Sequence, residues 1–198
     1  MCGRYAFTDI EDVYEARRIL EEVAQRLGDE VAESVKTGEV CPTDNAVVVA
    51  QRPGGSRAEV MRWGYPIGGG LVINARSETL GEKPAFRRSL GGARCLVPCT
   101  GFFEWKAEGK HKQKFLIHPE GDRFFYLAGL YSRFVVEGIS RDRFVIVTGA
   151  ANEAMSAIHP RMPLMVPAGQ AGLWLEGSGA DAVRRIGGLA EALRIKTV

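Results

Sequence analysis

Long apolar runs are absent from this chain. No stretch of its 198 residues approaches the roughly 20 consecutive apolar residues that a membrane-spanning helix needs. The start carries no charged region followed by an apolar one, so no secretory signal is read and a cytosolic chain with no targeting segment ahead of Cys2 is expected. Cysteine is scarce: Cys2, Cys41, Cys95 and Cys99 do not suggest a disulfide scaffold in a chain of this size. Cys95-Leu-Val-Pro-Cys99 is followed by no second cysteine pair or paired histidine, so no metal site is expected and both thiols read as small apolar residues beside a strand. Net charge is only +2, which leaves no whole-molecule field that would prove a nucleic-acid partner. Repeats, low-complexity tracts and linkers are also missing. With 45% hydrophobic residues, the chain is expected to form one domain over 1–198 with a substantial core.

Arginine, by contrast, is plentiful. Of 26 basic residues 19 are Arg, among them Arg4, Arg62, Arg76, Arg87, Arg88, Arg94 and Arg161. The planar guanidinium fork suits phosphate and stacks on bases. A general preference for Arg over Lys in an Ala/Gly-rich composition would produce the same count.

The patterning predicts many short strands and a few helices. Thr8-Asp9-Ile10-Glu11 reads as a capping box, with an amphipathic helix behind it to Leu27 and a weaker helical stretch from Glu30 to Lys36. Strands are read at 46–51 and 58–63 around Pro53-Gly54-Gly55, and at 71–73. A basic helix follows at 83–90 with Pro84 in its first turn. Further strands are read at 95–97, 101–106, 114–118, 124–131, 144–148 and 193–197, with helices at 152–157 and 168–175. The fold class expected is α+β: a strand-rich domain with a mainly antiparallel, barrel-like sheet and peripheral helices.

Chemistry concentrates at four places. Met1 precedes a small residue and is a substrate for aminopeptidase removal, which would leave Cys2 with an α-amine and a thiol on one residue. Their reference pKa values, about 7.7–8.0 and 8.5, leave both partly deprotonated near neutral pH. Such a 1,2-aminothiol traps aldehydes or acts as an N-terminal nucleophile; the alternative is a small buried residue. Ile73-Asn74-Ala75-Arg76-Ser77-Glu78-Thr79 sets polar residues after an apolar strand, so Asn74 can hold the terminal amine or a substrate hydroxyl and Arg76 a phosphate. The alternative there is a helix start capped by Ser77. Gly101-Phe102-Phe103-Glu104-Trp105 holds either an outward-facing Glu104 or a buried acid with a raised pKa. His159 lies in a Pro-flanked turn, Ile158-His159-Pro160-Arg161-Met162-Pro163, whereas His111 and His118 read as surface residues of a hairpin.

Taken in order, these segments resemble a known family over nearly the whole chain. Met1-Cys2-Gly3-Arg4-Tyr5, Met61-Arg62-Trp63-Gly64, the Asn74 segment, Lys83-Pro84-Ala85-Phe86-Arg87-Arg88, Arg94-Cys95-Leu96-Val97-Pro98, the Glu104 segment and the His159 segment together look like the SRAP family, the SOS-response-associated peptidases. The resemblance implies binding of single-stranded DNA and a covalent crosslink to abasic sites through Cys2 as a thiazolidine. It implies His159 assisting sugar-ring opening, Glu104 moving protons, and Asn74 orienting the terminus and the sugar. It places Arg4, Arg76 and Arg161 on phosphates, with Trp63 and Trp105 stacking on bases or packing in the core. No metal or organic cofactor is implied. A monomer is expected, cytoplasmic and nucleoid-associated if bacterial. The family name also records a proposed peptidase activity, read here as limited to exposing Cys2.

Three departures qualify the match. The connection after Gly64 is short, Tyr65-Pro66-Ile67 before Gly68-Gly69-Gly70, which touches the DNA-wedging surface. Pro160 follows His159 where many members have Asp, and Cys41-Pro42-Thr43 replaces Ala-Pro-Thr. Two other readings stay open: an amidohydrolase using Cys2 for acyl transfer, and a non-catalytic single-strand-binding module.

Overall fold

The computed structural model describes residues 2–8, 14–109, 111–121, 124–187, 189 and 192–198. In chain order β1 (Arg4–Phe7) is followed by α1 (Tyr14–Leu27) and α2 (Asp29–Glu33). Then come β2 (Gly38–Val40), β3 (Asn45–Arg52), β4 (Gly55–Trp63), β5 (Tyr65–Ile67), β6 (Gly70–Val72), β7 (Asn74–Arg76) and α3 (Pro84–Gly92). The long central strands are β8 (Arg94–Cys99), β9 (Gly101–Glu108), β10 (His111–Pro119), β11 (Phe125–Val136) and β12 (Ile139–Ala150). The chain closes with α4 (Glu153–Ser156), β13 (Arg161–Pro163), β14 (Met165–Pro167), α5 (Gly172–Leu175), α6 (Gly179–Gly187) and β15 (Leu193–Thr197).

Five strands close into a barrel, as the strand-rich pattern predicts. β4, β3, β8, β11 and β12 pair in turn and antiparallel, and β12 returns to β4 through a parallel pairing at Phe144 and Trp63. Their apolar runs are buried because both faces of these strands are covered: every residue of β8 is buried, as are Phe144 to Thr148 of β12. A second sheet, ordered β15-β10-β9-β1-β2, is antiparallel throughout. Tyr5 of β1 meets the barrel core, its ring 5.4 Å from Trp63, which in turn stacks on Phe144 at 6.1 Å. Gly64 makes the exit from β4 possible. Its φ of +106° suits glycine, and a Cβ there would lie 2.7 Å from the Leu71 side chain.

Several expectations change in detail. The capping box and the first turn of the predicted helix involve residues 9–13, outside the described set; from Tyr14 onward α1 buries Ala16, Ile19 and Val23. Residues 74–76 are a strand rather than a strand end, and the following Ser77–Thr79 turn has no side-chain cap, so the Ser77-capped helix is not formed. Helix α6 was not anticipated: glycines bracket it and its apolar face is short, Ala182 and Ile186 with Val183 beside them.

Candidate active site at Cys2

The site lies where the second sheet meets the barrel. Cys2, just ahead of β1, is fully buried. Its neighbour across the junction is Asn74 on β7, which donates from Nδ2 to the Cys2 carbonyl at 3.0 Å. β7 owes its position to parallel pairing with β12, Asn74 opposite Ile146 and Arg76 opposite Thr148. Alternation along that strand buries Ala75 and turns Asn74 and Arg76 to the other face. Asn74 Oδ1 is buried and accepts no hydrogen bond from the described residues.

Glu104 arrives from β9. Alternation there sends Phe102 and Glu104 inward and Phe103 and Trp105 to the opposite face, so Glu104 is the buried acid and not the outward-facing one. One of its oxygens, Oε2, accepts the Trp105 amide at 3.3 Å. Burial, and after it the Glu104 charge, pushes the Cys2 thiol up to about 12. A buried, protonated thiol alkylates slowly. In chains that retain Met1, iodoacetamide at pH 8 should therefore label half-buried Cys41 well before Cys2. Neutrality of the Cys2 thiol persists up to its raised value, so its labelling should stay slow as pH passes the ordinary thiol range. Peptide mapping by mass spectrometry checks this; equal labelling of the two cysteines would contradict the burial argument.

His159 is delivered by α4. Asn152 Oδ1 caps that helix by accepting the Met155 amide at 3.0 Å, and the His159 amide bonds to the Met155 carbonyl at 3.0 Å. The ring is anchored through Nδ1, which lies 3.0 Å from the Arg161 amide and 3.1 Å from the Arg161 carbonyl. Orientation is thus set by backbone, and Pro160 does not disturb it. Arg161 leaves the turn as the first residue of β13. Its guanidinium forms a two-pronged pair with Glu78 and donates to the Thr148 carbonyl at 2.6 Å. That pairing holds the Glu78 carboxyl down to about 2.

Glu104 and His159 line one open cleft of about 690 Å³, together with Arg4, Trp105, Ala107, Lys112 and Lys114. Arg4 lies over the Trp105 ring at 5.5 Å and pairs with Glu39 at 2.5 Å. Lys114 shares that carboxylate at 2.7 Å. Arg76 is exposed beside Thr148.

Trp63 does not belong with the other candidates. It has no exposed surface, its indole N–H donates to the Ile73 carbonyl at 3.0 Å, and its faces meet Tyr5 and Phe144. Base stacking by Trp63 would require opening the core. Arg94, counted above with the arginines suited to phosphate, is also buried and, among the described residues, bonds to backbone carbonyls alone. Conversely, Lys112, Lys114 and Glu39 were overlooked. The signal was available: in His111-Lys112-Gln113-Lys114 both lysines fall on one face of a strand.

The family profile "SOS response associated peptidase (SRAP)" matches residues 1–196. The chain belongs to the SRAP family. Among SRAP relatives, the abasic site processing protein YobE of Bacillus subtilis is 31% identical over 91% of this chain and 84% of its own length. The abasic site processing protein YedK of Escherichia coli is 30% identical over 92% of this chain and 83% of its own length. The SRAP fold is shared with a solved protein of Bacteroides thetaiotaomicron, TM-score 0.77 at 23% identity, covering 100% of this chain and 92% of that one. No helix of the described residues is long and apolar enough to cross a membrane.

Proposed function

We propose that this protein binds single-stranded DNA and captures abasic sites covalently through Cys2, as a thiazolidine. The observation that carries the reading is the placement of Cys2: buried, its carbonyl held by Asn74, with its thiol raised by burial and by the charge of Glu104, which lines a cationic, aromatic cleft. The names of the SRAP relatives supply the substrate class. Arg4, Arg76 and Arg161 take phosphates, and Trp105, half-exposed at the cleft, offers a stacking face.

Met1 leaves first, which places the α-amine on Cys2. The closed sugar opens as its C1′–O4′ bond breaks: O4′ takes a proton from His159, and the C1′ hydroxyl, becoming the aldehyde, gives up its own proton through solvent, which restores the imidazole. With Nδ1 anchored at Arg161, the imidazole exchanges that proton through Nε2, and Nδ1 has a backbone partner in either state: it accepts from the amide or donates to the carbonyl. The amine lone pair then attacks the C1′ aldehyde, and Glu104 takes a proton from the nitrogen. Glu104 hands it to the aldehyde oxygen to give the carbinolamine, and a second proton carried the same way from nitrogen turns the hydroxyl into departing water and leaves the neutral imine. The Cys2 sulfur adds to C1′ while its proton passes to nitrogen, closing the ring. One water is lost overall and no redox partner is needed. Asn74 Oδ1 supplies an acceptor for the ammonium or a sugar hydroxyl.

Intact-mass analysis after mixing with a single strand bearing one abasic site tests the proposal. The expected product is an adduct of the Met1-less chain, one water lighter than the sum of its parts. Unreacted protein already lacking Met1 would refute it. His159→Ala should slow adduct formation on natural abasic sites by about 10²–10⁴-fold, the usual worth of a positioned acid. An unchanged rate would remove His159 from ring opening.

A further inference from the structure

Pairing in the second sheet gathers a cationic, apolar surface outside the Glu104–His159 cleft. Leu116 of β10 stands between Phe103 of β9 and Lys196 of β15, and His118 stands opposite Arg194. Period-two alternation puts Phe103, Lys114, Leu116, His118, Arg194 and Lys196 on one face, opposite to inward Phe102, Ile117 and Ile195. They line a cleft of about 440 Å³ with Glu39 at its edge, except Lys114, which belongs to the Glu104–His159 cleft. Lys114 connects the two: its ammonium lies 4.1 Å from the centre of the Phe103 ring and pairs with Glu39. Arg194 and Lys196 are exposed and pair with no carboxylate among the described residues. At ordinary strand spacing the step from β9 to β15 is about 10 Å, within reach of a few nucleotides.

We infer that this face is a second binding segment for single-stranded nucleic acid, holding nucleotides that flank a lesion engaged at Cys2. Arg194 and Lys196 take phosphates, and the Phe103–Leu116 floor takes a base or sugar. The inference rests on the proposed function. Nucleic acid is favoured over an acidic peptide because the surface adjoins the Glu104–His159 cleft through Lys114 and alternates cations with an apolar floor.

The test compares anisotropy-measured binding of a short single strand of about four nucleotides with that of one extending well past it on both sides, across salt concentrations. The wild type should gain affinity with length. Replacing both Arg194→Glu and Lys196→Glu should remove about tenfold of that gain and lower the salt slope by about two. The milder pair Arg194→Gln and Lys196→Gln should act in the same direction, with a thermal melt confirming the fold of each. An undiminished length-dependent gain with an unchanged slope, in folded variants, would overturn the inference. Failure of the wild type to bind any single strand would instead sink the proposed function, and that arm is read first.

Discussion

Cys2→Ala is expected to lose the durable adduct entirely while keeping a weaker, different reaction with the same DNA. Alanine is also small enough for Met1 to be removed, so the variant still presents an α-amine beside Glu104 and Asn74. That amine can condense with the C1′ aldehyde, but with no sulfur to add to the imine the reaction stops at the Schiff base. Water reverses it, and while it lasts it acidifies C2′ and promotes elimination of the 3′-phosphate. The variant should therefore yield no adduct on denaturing gels unless borohydride is added, and should nick strands that the wild type leaves whole. Burial of Cys2 gives the substitution little scope for other effects: removing one sulfur from a packed site costs about 1 kcal/mol or somewhat more, too little to unfold the chain. A durable adduct formed by the variant would refute thiazolidine chemistry. Absence of both adduct and borohydride-trapped species would show that the amine is not the first nucleophile.

Part of this candidate site was legible in the sequence, where a local rule places the residue. Alternation along β9 fixes Glu104 opposite Trp105, and the turn Pro160 belongs to forces His159 off any helix face. What escaped the sequence depends on distant pairing. Nothing near Asn74 reveals that residues 74–76 form a strand, because its partner, β12, begins at Ile139. The closure of the barrel by β12 onto β4 is equally non-local. Trp63 was ambiguous because a strand-end tryptophan serves a core or a stacking surface equally well; Tyr5 and Phe144, far along the chain on either side, decide it. The outer cations on β10 and β15 look like ordinary solvated charge until the register aligns them.

Arg94 is the sharpest example of a residue whose role is set by tertiary context, and its replacement should have the largest effect on stability. Its guanidinium donates to the carbonyls of Trp174 at 2.7 Å, Leu90 at 2.8 Å, Leu175 at 2.9 Å and Gly177 at 2.7 Å. Three of those carbonyls, Leu90, Trp174 and Leu175, belong to α3 and α5, and this buried cation at the start of β8 thereby ties helix termini to the barrel. Trp174 reinforces the joint from the other side, its indole N–H shared between the Cys95 and Gly129 carbonyls. Arg94→Met keeps the length of the side chain but strands all four acceptors, at about 1–3 kcal/mol for each that water cannot reach. Partial rehydration keeps the total near 3–5 kcal/mol, the usual cost of breaking a buried charged network. For a domain of this size that corresponds to a fall in melting temperature of roughly 10 °C or more. Arg94→Lys keeps the charge but cannot reach all four carbonyls with one ammonium, and should fall between. Calorimetry of the three proteins decides it: a melting temperature for Arg94→Met within about 2 °C of the wild type would mean that the helix ends find other donors and that Arg94 does not hold them.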